Sequence, residues 1–222
     1  MSEYTKLSKE IIDGFLQFDT ASVSDAMDRL GLKGGLLGIH PVVPASKMCG
    51  QAFTVHYVPC GMHKDNVGDF IDDVEPGQVI VIDNGGRLDC TVWGDIMSLY
   101  ASKHRIAGTL IDGVCRDVPA IRELQYPIFT KSTYMVTGKD RVYVDHINVP
   151  VNVSNVQILP GDLILADDSG AVVIPCSQAE KVLAVTREIE EKEEAIRQKV
   201  LAGSKLKDAR KELGYHTLQT RR

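Results

Sequence analysis

The chain has 222 residues, 44% of them apolar and 25% charged, enough to bury one sizeable core. Its formal net charge is −5, and no Lys/Arg-rich run occurs before the last few residues, so it lacks the basic face a phosphate backbone requires and no nucleic-acid partner is expected. No apolar run approaches the roughly 20 residues of a membrane helix, and Met1–Lys6 lacks the basic-then-apolar layout of a signal peptide; a soluble, cytoplasmic protein with no membrane partner is expected.

In chain order, Ser8 to Phe18 carries apolar residues at Ile11, Ile12, Phe15, Leu16 and Phe18, the spacing of a short amphipathic helix. Thr20 or Ser22 offers a hydroxyl cap for a second helix ending near Gly31. Gln51 to Val58 alternates as a strand, and Asp65 to Asp73 is a weak helix candidate. Val79–Asp83 and Gly108–Asp112 are continuous apolar runs, the pattern of parallel strands buried on both faces. Between them Asp95 to Arg105 predicts a crossover helix. Pro119 suits a first helical turn, and Pro127–Lys131 gives a third strand. The result is a parallel βαβαβ core with right-handed crossovers.

From Val142 to Ile174 short β-rich pieces alternate with turn residues, and a second β-rich layer is expected there. Ser177-Gln-Ala-Glu180 matches a capping box for a long helix running to about Ala202. Its acidic stretch Glu188–Glu194 reads mostly as a solvated face, with the helix end leaning on another subunit. The division expected is a single α/β domain over 1–176 and a C-terminal helical tail over 177–222, packed on the domain or on a neighbouring subunit.

If strands end at Asp83 and Asp112, then Asn84, Gly85, Gly86, Gly94 and Asp95 gather beyond one carboxyl end and Arg116 and Asp117 beyond the next. That edge is where open α/β sheets bind ligands. Asp117 suits a hard cation, and Arg116 can bind a carboxylate without ever losing its charge. The helix starting at Asp95 brings backbone N–H groups, those of Ile96 and Met97, which favour an anion. Together they could hold a small 2-oxo acid, with a Lewis-acid metal stabilising an enolate and Asp95 orienting water or moving a proton. The bland reading is also open: Arg116-Asp117 as a cap with a surface ion pair, Gly94-Asp95 as a helix start, Asn84-Gly85-Gly86 as a turn. Five scattered cysteines form no C-x-x-C pair, which suggests neither disulfides nor zinc. Cys115 is a small buried spacer or a nucleophile. The six histidines make no metal or triad pattern.

At these residues the chain resembles the RraA-like proteins (regulator of ribonuclease activity A), a family that includes divalent-metal 4-hydroxy-4-methyl-2-oxoglutarate aldolases. The resemblance rests on Asp95, twenty residues and then Arg116-Asp117, preceded by Trp93-Gly94 and Asp83-Asn-Gly-Gly86. It extends to Thr20–Gly31 and Pro160–Pro175, and covers roughly residues 18 to 200. It implies a compact swivelling β/β/α-type domain in homotrimers or homohexamers with sites between subunits. It also implies Mg²⁺ or Mn²⁺ on Asp117, a substrate carboxylate on Arg116, catalytic water on Asp95, and Glu193 or Glu194 reaching a neighbour's site. The activity implied is an aldolase or decarboxylase that releases pyruvate from a 2-oxo acid such as 4-hydroxy-4-methyl-2-oxoglutarate or oxaloacetate. The alternative is a non-catalytic member that binds a ribonuclease or another protein. Two departures stand out. Ala120 occupies a position that is acidic in the aldolase pattern, and Tyr134–Tyr143 replaces a glycine-rich loop, so substrate selectivity is expected to differ.

Overall fold

A computed structural model describes residues 4–215. In chain order it contains α1 (Lys9–Leu16), α2 (Thr20–Arg29), β1 (His40–Pro41), β2 (Met48–Pro59), β3 (Val79–Asp83), α3 (Asp95–Lys103), β4 (Gly108–Cys115), α4 (Val118–Leu124) and β5 (Ile128–Thr133). It continues through β6 (Val142–Ile147), β7 (Val151–Val153), β8 (Val156–Ile158), β9 (Leu163–Asp167), β10 (Gly170–Ile174), α5 (Ala179–Leu201) and α6 (Leu206–Glu212). The weak helix expected over 65–73 is a short 3₁₀ turn, Asp69–Asp73.

Strands β2, β3, β4 and β5 lie side by side in parallel, with α3 and α4 as the crossovers. The βαβαβ core is therefore present, and its burial explains the unbroken apolar runs. Ile80, Ile82, Ile111 and Ile128 face one core with Met97, Ala101 and Ile121 of the helices. Val79, Val81, Leu110 and Phe129 face a second core shared with Ile164, Ala166 and Val173. All five residues of β3 are buried, as expected of a strand covered on both sides.

The β-rich half does not form a second layer, as expected from sequence, but extends the same sheet. The reason is the length of β2, 12 residues. One edge takes β3 along Ala52–His56, while the other is shared end to end by β9, along Met48–Gln51, and β6, along Val55–Pro59. Among the described residues only β7 and β8 stand apart as a hairpin, and their Val151, Val153 and Ile158 enter the second core. The two outer strands of the sheet are tied by one segment. Leu36 N donates to Ala171 O at 2.9 Å and Val173 N to Gly34 O at 2.9 Å, and a few residues later β1 pairs with β5. The mixed sheet is thus nearly closed, which removes the exposed edges that invite mispairing. Gly34 is required there, because a Cβ would sit 2.1 Å from Val173 O.

Helices α1, α2 and α5 cover the outside of β9 and β10, with Phe15, Val23, Met27, Leu183 and Ile189 packed on Leu165 and Ile174. The helix caps differ from the sequence expectation. Thr20 does not cap α2, because its N–H and hydroxyl both bond Asp167 at 2.7 Å; Asp19 is the cap, accepting from Ser22 N. Ser177 does not cap α5 either, since Cys176–Gln178 winds into a 3₁₀ turn and Gln178 takes the cap position. The acidic face of α5 is only partly solvated. Ser22 Oγ donates to Glu190 at 2.9 Å, and Arg29 pairs with Glu188 at 3.1 Å. The tail's last residues, 216–222, lie outside the described part.

Glu193 is half-buried on α5, and burial first, then the charges of Asp25 and Glu190, raises its pKa. A raised carboxyl pKa costs stability only once the group ionises, so the penalty is absent at low pH and grows as pH climbs from the ordinary glutamate range through the raised value. Glu193→Gln is expected to raise Tm at pH 7 by on the order of 1 °C and to leave it unchanged near pH 4. Thermal melts at the two pH values check this, and an equal shift at both would count against it.

Candidate functional site

The parallel sheet brings the loop after β3 and the loop after β4 to the same edge, and hydrogen bonds join them. Arg116 N donates to Trp93 O at 3.0 Å. The Thr91 hydroxyl lies 2.9 Å from the carbonyl oxygens of both Trp93 and Val114. Trp93 is buried, stacked on Tyr126, and its indole N–H donates to Ser98 Oγ at 2.8 Å, so the base of α3 is fixed from below.

On this base the motif residues meet. Asp117 adopts a left-handed backbone, φ 58° and ψ 34°, at the start of α4. From there its Oδ2 accepts the Asp95 N–H at 3.2 Å and lies 3.3 Å from Arg116 Nε. Asp117 therefore caps α3, the helix of the other loop, while its Oδ1 has no partner among the described residues. Gly94 permits the approach, because a Cβ there would stand 2.6 Å from Asp117 Oδ2 and 3.4 Å from Arg116 Nε.

Gly94, Asp95, Ile96, Met97 and Arg116 line a cleft of ≈ 460 Å³. Asp117 opens instead onto an adjoining hollow of ≈ 340 Å³ with Cys115, Thr133, Tyr134 and Met135, and Arg116 belongs to both walls. The anion-binding helix end expected from sequence is largely spent: the Asp95 N–H serves Asp117, and the Ile96 N–H is taken by the Asp95 side chain at 2.8 Å. Arg116, paired with Asp117, is the guanidinium that lines the cleft beside this helix end. Asn84, Gly85 and Gly86 do not line the cleft. Their turn folds back over β4, with Gly86 N donating to Asp112 O at 3.0 Å and Gly86 lying against Lys131, which pairs with buried Asp112 at 2.7 Å. Asn84 is itself buried.

Residues 20–173 match the family described as RraA-like: Aldolase/RraA. The chain belongs to the RraA-like family. It is 40% identical to protein DlpA of Legionella pneumophila over 92% of this chain, and spans 34% of that protein's length. It is 37% identical to a Halalkalibacterium halodurans protein named as a candidate 4-hydroxy-4-methyl-2-oxoglutarate aldolase, over 85% of this chain and 89% of that one. Among solved structures, an uncharacterized protein from Pseudomonas syringae pv. tomato superposes with a TM-score of 0.88 at 42% identity, covering 93% of this chain and 100% of that chain. The mixed α/β fold with its nearly closed sheet and long C-terminal helix is therefore one seen in this family's structures.

In this RraA-like chain Glu193 and Glu194 lie on α5, away from the cleft of their own chain. Glu193 sits 3.7 Å from Arg197, and Glu194 bonds Arg197 at 2.8 Å and Gln198 at 2.6 Å. Cys115 is fully buried and its thiol is pushed up to about 12 by that burial, which fits the spacer reading and not a nucleophile. Sequence reasoning missed one wall of the cleft, formed by Asp65, Asn66 and Asp69 before and within the 3₁₀ turn and by Thr137, Gly138 and Lys139. The second group lies inside Tyr134–Tyr143, the stretch that the sequence resemblance singles out, so a signal was present. Among the described residues no helix is long and apolar enough to cross a membrane.

If Asp117 caps α3 through the space left by Gly94, then Gly94→Ala and Asp117→Ala should both speed hydrogen exchange of the Asp95 amide and cost about 1 kcal/mol of stability. An unchanged Asp95 exchange rate in Gly94→Ala would show that the close approach is immaterial.

Proposed function

We propose that this RraA-like protein is a divalent-metal-dependent carbon–carbon lyase acting on a small 2-oxo acid and releasing pyruvate. The observation that carries this reading is the junction at Gly94, where a permanently charged guanidinium, a carboxylate with one free oxygen and a second carboxylate at a helix start come together. The name of the Halalkalibacterium relative points the same way.

Cleavage beside a 2-oxo group needs a sink for charge on the C2 oxygen and a proton for C3 of the enolate that forms; aldol cleavage also needs a base for the C4 hydroxyl. Arg116 holds the C1 carboxylate, and because guanidinium does not deprotonate it orients the substrate at any working pH. Asp95 has one oxygen tied to the Ile96 N–H and the other free to hold a water that takes up or returns the proton. Trp93 and Val92, buried under the cleft, limit water beneath the reacting carbons.

The donor set bears on the metal. Asp117 Oδ1 is unpartnered, and among the described residues no three His, Cys, Asp or Glu side chains are grouped to hold an ion. Mg²⁺ and similar hard cations are commonly held by one or two carboxylates with the rest of the shell water, so these residues fit Mg²⁺ or Mn²⁺ on Asp117 and not a metal that requires a cage of protein ligands. When bound there, such an ion supplies a Lewis acid for the charge on the C2 oxygen. Ala120, half-buried in the first turn of α4, adds no second carboxylate.

Ala120 is also the observation that favours the second reading, a non-catalytic member that binds a protein partner. One assay separates the two. Pyruvate release from oxaloacetate and from 4-hydroxy-4-methyl-2-oxoglutarate with Mg²⁺ or Mn²⁺ is expected above the metal-only rate and is expected to vanish with a chelator. Arg116→Ala and Asp117→Asn should each lower kcat/KM by about 10²-fold or more. Turnover that survives both the chelator and Arg116→Ala would sink the mechanism, and no turnover on either acid would leave the binding reading.

A further inference from the structure

We infer that Thr91 is a positioning residue that holds Arg116 in the cleft and so sets how well the C1 carboxylate of a substrate is received; this rests on the lyase reading for that carboxylate. Thr91 belongs to the wall of the same ≈ 460 Å³ cleft as Arg116, yet only 3% of it is exposed. Its hydroxyl is turned to main-chain groups, and it acts through the backbone that carries the guanidinium.

Three segments of the cleft meet at this residue. In its own β3–α3 loop, the Thr91 hydroxyl lies 2.9 Å from Trp93 O, and its oxygen accepts the Trp93 N–H at 3.2 Å. Toward the end of β4 the same hydroxyl lies 2.9 Å from Val114 O. Toward the third segment, Thr91 N donates to Val136 O at 2.8 Å, and Gly138 packs so closely that a Cβ there would lie 2.4 Å from Thr91 O. A hydroxyl has one proton, so its donation is shared between a carbonyl of the β3–α3 loop and one of β4. Trp93 O also accepts the Arg116 N–H at 3.0 Å. Thr91 and Arg116 therefore meet on one carbonyl oxygen.

Asp117 joins the same two loops at the surface, through Asp95 N, but it follows Arg116 directly in the chain and as an ion-pair partner moves with the Arg116 loop. Thr91 joins them in the interior, where a hydrogen bond is stronger and water does not replace one that is lost. Without the hydroxyl the Trp93 carbonyl is free to tilt, and the Arg116 N–H bonded to it follows. A guanidinium displaced part of the time weakens its contact with a carboxylate equally in the bound substrate and in the transition state, so the loss falls on KM and not on kcat.

The test compares Thr91→Val, which keeps the branched shape and removes the hydroxyl, with Thr91→Ala, which removes it without added bulk, and Thr91→Ser, which keeps it. In Thr91→Val and Thr91→Ala the Arg116 amide is expected to exchange about tenfold faster. KM for oxaloacetate with Mg²⁺ is expected to rise about tenfold in both, with kcat within about twofold of wild type. Thr91→Ser should keep exchange and KM near the wild-type values whatever its Tm. A purely structural role would lower Tm in the variants and leave KM unchanged, and that result overturns the inference. So does an Arg116 amide that exchanges at the wild-type rate in Thr91→Val, or a Thr91→Ser protein as impaired as Thr91→Val. Absence of turnover in the wild-type protein defeats the lyase reading, and the Arg116 exchange rates then decide this inference alone. Turnover with a KM that Thr91→Val does not change defeats this inference and leaves the lyase reading in place.

Discussion

The carboxylate of Asp117 is the joint on which the site depends. One of its oxygens meets the first N–H of α3 and the Nε of Arg116, and this contact binds the β3–α3 loop to the β4–α4 loop. A helix N-terminus favours a negative charge by tenths of a kcal/mol up to about 2 kcal/mol in partly buried geometry. The arrangement spends that preference on positioning a protein carboxylate instead of on a ligand. Two costs accompany it: a left-handed backbone at a residue with a Cβ, and a glycine at Gly94. Both are tolerated because strands β3 and β4 are buried on both faces and hold the two loops at fixed separation.

That rigidity was legible in the sequence, and so was the meeting of Gly94, Asp95, Arg116 and Asp117, because continuous apolar runs with a helix between them leave little choice of topology. What the sequence did not disclose follows from edges and occupancy. Short strands such as β9 and β10 look alike whether they form a new layer or extend an old sheet; the 12-residue length of β2 and its ability to serve two partners on one edge decided the matter. Asn84, Gly85 and Gly86 lie beyond the end of β3 as expected, yet their turn bends toward Asp112 and Lys131, which pattern alone cannot reveal. Likewise the N–H of Ile96 was correctly placed at a helix start, but a neighbouring carboxylate had already claimed it.

The cleft is built from two parts with different tolerances for change. Arg116, Asp95 and Asp117 sit on loops of the double-covered parallel strands, where a shift of one side chain is passed to Trp93, Thr91 and Ser98. The opposite wall comes from the far end of the β2–β6 pair, where Tyr57 donates its hydroxyl to Val67 O and Val144 N donates to Asn66 O at 3.2 Å. Residues 61–66 between these anchors are exposed, and so are Lys139 and Asp140 across from them. Substitutions in this wall change the shape and charge of the cleft without disturbing the contact between Asp117 and α3. Thr137, Gly138 and Lys139, within the stretch Tyr134–Tyr143 expected from sequence to replace a glycine-rich loop, fall in this wall, whereas Arg116 and Asp95 fall in the other. The cleft can therefore change shape here while the junction of the two loops stays as it is.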